Sequence, residues 1–143
     1  MPQDPPTDIV LFREKIKFLE ARISRDQTEY WLNWVCFEQK EKNIIGQIEA
    51  SLQMDCSLAY LAYFTFPKYW KLGYAIEGCK AIINHLFDEW GAKKIMIEID
   101  TRNIASINMV ERLGAKRVGV KEKADYFKDS WSDEYVYEIL TLV

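Results

Sequence analysis

The feature that most constrains this chain is a change of hydrophobic period at Pro67. Before it lie three runs rich in aromatic and β-branched residues, 30–38, 44–52 and 58–66, separated by polar turns. After it, Ala75, Cys79, Ile82, Leu86 and Trp90 recur at helical spacing, with Ile83 and Phe87 widening the stripe and Gly91 placed to end it. Strands bury residues with a period of two and helices with a period near 3.6, so no purely helical or purely β fold satisfies both halves. The chain must build a sheet and cover it with helices.

The remaining segments extend that pattern. The polar stretch 39–43 joins the first two runs as a hairpin. Residues 95–99 form a short apolar strand. Asn103 can cap a helix whose inner face is Ile107, Val110 and Leu113, and Gly114 ends it. Residues from about 117 to 142 read as two strands around 128–130. Ahead of all these, Phe12, Ile16, Leu19 and Ile23 predict a helix starting at Thr7 or Asp8, after a disordered lead-in over residues 1–7. The order is helix, three strands, helix, strand, helix, two strands. With no repeat or linker, residues 1–143 read as a single α/β domain, a mixed sheet with helices on its faces.

Composition removes several function classes. Hydrophobic residues are 49% and charged residues 29%, a globular balance. No apolar run nears the ~18 residues of a membrane span, and the start lacks a basic region followed by an apolar core. Cys36, Cys56 and Cys79 have neither metal-ligand nor redox spacing, and His85 is the one histidine, so no metal is expected. Each cysteine reads as a small buried hydrophobe, in keeping with a cytoplasmic location. A net charge of −3 gives a nucleic-acid partner no support and is compatible with a cationic amine.

The most informative segment runs from Phe64 to Ala75. A strand ends, a short loop follows, and a helix begins near Gly73. The first amides of a helix lack intrahelical partners and carry partial positive charge, so phosphate oxygens fit there. Gly73 and Ala75 let the backbone approach an anion closely. The glycines of a Walker loop or dinucleotide fingerprint are absent, and a plain structural turn is the competing reading.

Three blocks resemble the GNAT N-acetyltransferases, nearest to the ribosomal-protein N-terminal branch. Pro67-Lys68-Tyr69-Trp70-Lys71-Leu72-Gly73-Tyr74-Ala75-Ile76-Glu77 is similar to that family's acetyl-CoA loop. Residues 97–106 followed by Glu111-Arg112-Leu113-Gly114-Ala115 resemble its next strand and helix, and 124–129 with Asp133 and Tyr137 its closing hairpin. Lys71 and Leu72 depart from the pattern, which has glycine at the first and a basic or polar residue at the second. The resemblance covers residues 31–140 and leaves the domain shortened at its N-terminus, where the family has another strand and helix.

The resemblance implies a mixed, mostly antiparallel sheet whose parallel central strands, about 58–66 and 95–99, splay around acetyl-CoA. It implies acetyl transfer to a primary amine, such as a protein N-terminus, a polyamine or an amino sugar. Cosubstrate contacts fall on Phe64, Thr65, Phe66, Trp70, Lys71, Leu72, Gly73, Tyr74, Ala75, Asn103 and Ser106. Asp125 stands where that branch has a carboxylate base, one methylene shorter than glutamate and so about 1.5 Å less in reach. Ser106 stands where it has a serine near the sulfur. Val110 replaces the tyrosine with which other members protonate the leaving thiolate. Each has a plainer reading: Lys71 and Asp125 as solvated charges, Asn103 as a cap, Ser106 as an ordinary helix residue. A CoA-binding module without catalysis also remains open, as does a homodimer.

Overall fold

The computed structural model describes residues 22–24, 26–127 and 130–140, with 124–127 and 130 as backbone only. Six strands make one sheet: β1 (Glu29–Phe37), β2 (Ile44–Gln53), β3 (Ala59–Thr65), β4 (Lys94–Asp100), β5 (Lys116–Phe127) and β6 (Ser130–Leu140). Their spatial order is β1-β2-β3-β4-β6-β5. Helix α1 (Tyr74–Asp88) connects β3 to β4, and α2 (Ile104–Arg112) connects β4 to β5. The pair β3–β4 is parallel and every other pairing is antiparallel, as expected for a mixed, mostly antiparallel sheet.

Registers decide which residues face the helices. Trp34, Ile48 and Tyr63 lie directly opposite one another across β1, β2 and β3, so they share a face. The same parity carries Leu52, Ala59, Ile95 and Ile139 to that face. There they pack with Cys79, Ile83 and Leu86 of α1 and Ile107 and Val110 of α2 in a single buried cluster. At about 25 cal/mol per Å² of apolar surface, this interface is the main source of stability. The apolar stripe of α1 centres on Cys79, Ile83 and Leu86; Trp90 lies past the helix end, against the Tyr30 ring.

The expected first helix falls outside the described residues apart from Ile23, and there the structure differs. Ile23 bridges Tyr30 in antiparallel fashion rather than closing a helix. Asp26 Oδ1 accepts from the Thr28 amide and hydroxyl and from Ser24 Oγ, which turns the chain back into β1.

Candidate functional site

The site begins where two strands part. β3 and β4 pair only at Ala59↔Ile95 and Tyr60↔Met96, then diverge. The Phe66 amide bonds Ile45 O at 2.9 Å, so even-numbered residues of β3 are spent on β2. Alternation turns the N–H and C=O groups of Tyr63 and Thr65 toward the gap. Thr65 O accepts the Trp70 indole at 2.6 Å. Gly46 makes the other side of this strand possible: a Cβ there would lie 2.2 Å from Phe64 O. Sequence reasoning missed Gly46, whose only signal was a lone glycine inside a strand pattern.

The loop after β3 carries most of the expected contacts. Pro67–Tyr69 is a single 3-10 turn, Trp70 is extended, and Gly73 sits at the N-cap of α1 with φ 81°. Lys71 also has a positive φ, 62°. That geometry explains why the resembling loops hold glycine there, since left-handed backbone costs other residues about 1–2 kcal/mol. The N–H groups of Lys71 through Ile76 meet no acceptor among the described residues; the first bond of the helix is Glu77 N–H to Gly73 O, 3.1 Å. A row of orphan donors thus stands at the positive end of a 15-residue helix. Beside it lies a small cleft lined in part by Cys36, Gly46, Tyr63, Thr65, Tyr74 and Ala75. These donors and the gap beside them fit a diphosphate carrier.

Phe64, Thr65, Phe66, Trp70, Lys71, Leu72, Gly73, Tyr74 and Ala75 are therefore brought to one end of the sheet. Asn103 and Ser106 lie at the start of α2, which follows the end of β4. Asn103 is a helix cap, its Oδ1 accepting the Ser106 amide at 3.2 Å. The Ser106 hydroxyl lies near the Tyr63 phenol, close enough to draw its pKa down but outside hydrogen-bonding geometry. Burial dominates at Tyr63 and pushes its pKa up to about 12. Val110 is fully buried in the core and offers the gap no polar group.

Asp125 pairs by backbone with Ser132, just past an irregularity in the β5 ladder between Lys121 and Asp125. Its side chain lies outside the described residues, as does that of Tyr126. Ser132 in turn neighbours Asp100 at the end of β4, where a hydrogen bond from Arg102 is the largest influence holding the carboxyl below its usual range. The Asp125 backbone is accordingly at the end of the sheet toward which β3 and β4 open.

The family model described as acetyltransferase (GNAT) domain matches residues 5–116, more than half of the chain. The uncharacterized N-acetyltransferase YnaD of Bacillus subtilis is 27% identical over 99 residues, 60% of this chain and 58% of YnaD. The match thus spans less than two thirds of that relative's length. A chimera of the spermidine N-acetyltransferase SpeG from Vibrio cholerae and hSSAT superposes with a TM-score of 0.77 at 18% identity, over 94% of this chain and 81% of that one. A Vibrio cholerae protein assigned as a ribosomal-protein-serine acetyltransferase gives 0.72 at 17%, over 92% and 72%. At such identities the two structures speak for the fold alone.

Proposed function

The chain belongs to the GNAT acetyltransferase domain family, and from that premise we propose that it transfers acetyl from acetyl-CoA to a primary amine, with a protein N-terminal α-amine as the preferred acceptor. The observation that carries the reading is the row of unbonded amides from Lys71 to Ile76 beside the parted strands. Acetyl-CoA, when bound, supplies an activated acyl group on a thioester. The chain's own residues do the rest.

The amides of Leu72 through Ala75 hold the diphosphate, with the α1 dipole adding to them. The backbone edge at Tyr63 and Thr65, where the Thr65 carbonyl already holds the Trp70 indole, aligns an extended arm as an added strand would. A β3 amide there donates to the oxygen that gains charge as the amine attacks. Ser106 donates a hydrogen bond to the departing sulfur. Asp125 takes the amine proton, through water given its short reach.

Acceptor chemistry favours an α-amine. A group of pKa near 8 is ~10% neutral at pH 7, whereas a lysine near 10.4 is below ~0.1%. A general base helps the former and is needed more strongly by the latter. The likeness to the ribosomal-protein branch at the hairpin and Ser106 supports the same choice.

A polyamine acceptor is the second reading, favoured by carboxylates on the sheet face away from the helices: Glu49, Glu98 and Asp100. Two of these are already engaged, Glu98 by Lys121 and Asp100 by Arg102 at 2.9 Å. The row therefore offers a cationic ligand less than its formal charge implies. The reading as a single catalytic domain in the cytoplasm goes with this proposal.

Thioester consumption against a panel of N-terminal peptides, polyamines and amino sugars tests it. Turnover with peptides, mapped as a ~42 Da increment on the α-amine, is the expected result; that mass is the acetyl increment, and its location distinguishes α-amine from lysine. Calorimetric binding of CoA with no turnover on any amine would leave only a binding module.

A further inference from the structure

Tyr63 stands three residues beyond the last pair that joins β3 to β4, on the sheet face that carries both helices. Its hydroxyl oxygen is buried from solvent, yet it finds no hydrogen-bond partner among the described residues. A buried polar atom without a partner is held at a cost, since it has lost water and gained nothing. The aromatic ring alone would fill the space, so a phenylalanine would pack as well without that cost. Groups kept against stability in this way concentrate where a ligand completes them.

The groups around that oxygen narrow what it does. The Ser106 hydroxyl, on the first turn of α2, is a neighbouring polar group. Cys79, fully buried, adds a thiol whose own pKa burial pushes up to about 12. The α2 position where other GNAT enzymes place a tyrosine is Val110, which is core.

We infer that Tyr63 is a positioning residue for the acyl-transfer step: its hydroxyl donates to Ser106 Oγ once the gap is filled, and so aims the serine proton at the carrier's sulfur. This rests on the function proposed above. It places the polar group that the second helix lacks on the sheet instead, and it makes Tyr63 and Ser106 one unit. Tyr63 itself does not part with its proton. A phenol near pKa 12 is a weaker acid than an alkyl thiol, so handing its proton to the departing thiolate would run uphill. As the amine nitrogen bonds to carbon and the carbon–sulfur bond breaks, the electron pair stays on sulfur, stabilised by the oriented serine.

The test uses binding, so it needs no knowledge of the acceptor. Titrate CoA and desulfo-CoA, which lacks the sulfur, into the parent, Tyr63→Phe, Ser106→Ala and the double variant at a pH raised toward the pKa of the CoA thiol, so that a share of the CoA is thiolate. A hydrogen bond to a charged group is worth about tenfold or more in affinity, so the parent should prefer CoA by about that factor. Tyr63→Phe should bring the ratio to within about twofold with desulfo-CoA affinity unchanged. Ser106→Ala should do the same, and the double variant should lose nothing further. The melting temperature of Tyr63→Phe should stay level or rise. A Tyr63→Phe protein that keeps the parent ratio overturns the inference. So does one that weakens both ligands equally, or a parent that shows no preference. A parent that binds neither ligand overturns the proposed function itself, which is a different result.

Discussion

Two residues of the phosphate-side loop should respond to substitution with opposite signs. Lys71 and Gly73 both have left-handed backbone, with φ of 62° and 81°. Glycine adopts that region freely, whereas a residue with a Cβ loses about 1–2 kcal/mol there. Replacing Lys71 by glycine relieves that cost, while the extra freedom of the unfolded chain returns about 0.4–1 kcal/mol of it. The net is a gain of about 0.5–1 kcal/mol. Gly73→Ala reverses both terms and loses a similar amount. A Cβ at Gly73 would meet nothing within 4 Å, so no steric clash enters the sum. For a domain of this size, 1 kcal/mol moves the melting temperature by about 3–4 °C. Lys71→Gly should therefore melt about 2–4 °C above the parent and Gly73→Ala about 2–4 °C below it, by calorimetry at fixed pH without ligand. Lys71→Ala separates charge from backbone, since alanine keeps the strain and removes the ammonium. If Lys71→Gly melts below the parent, or both variants shift the same way, the assignment of strain to this loop is wrong.

Other consequences are as direct. Gly46→Ala should cost about 2–4 kcal/mol, because a Cβ 2.2 Å from Phe64 O must push β2 from β3 and strain the Phe66 amide bond to Ile45 O; urea unfolding reads the loss, and CoA affinity should fall with it. Cys79, fully buried with its thiol pushed up to about 12, should resist thiol reagents in the native protein and label only on unfolding, as peptide mapping would show. Asp100 is held below its ordinary value near 3.8, chiefly by the Arg102 hydrogen bond. Its small contribution is therefore present above that value and fades as pH falls through the lower folded value, so Asp100→Asn should flatten the acid limb of stability between about pH 2 and 5.

Much of the fold was legible because each element obeys one local rule. The boundaries of β2 and β3 fall within a residue or so of where alternation and Pro67 placed them. Asn103 and Gly114, read as cap and stop, serve α2 in those roles, with Gly114 at φ 90°. Ile23 shows the limit of the method. A hydrophobic residue at helical spacing joined a strand-like bridge, because Ser24 Oγ and Asp26 Oδ1 accept the Thr28 amide and turn the backbone. The candidate site divided in the same way. Its loop could be read from Pro67 to Ala75, whereas Tyr63 carries no signal along the chain and Gly46 only that of a lone glycine in a strand. Gly46 matters through one oxygen on the next strand, and Tyr63 through a serine 43 positions away.

Sequence alone determined the class of fold, since hydrophobic period is a local property that survives without knowledge of partners. It also determined that a helix would begin with unsatisfied amides after a strand, because Gly73 and the apolar stripe that follows are adjacent in the chain. Only the tertiary structure decided where β3 and β4 part, after two pairs, and which side chains look into the opening. Strand separation depends on how α1 and α2 pack on one face of the sheet, a balance of contacts between residues far apart in sequence. The same packing buries a tyrosine hydroxyl beside a serine and a cysteine without giving it a hydrogen bond, and no local pattern encodes a missing partner.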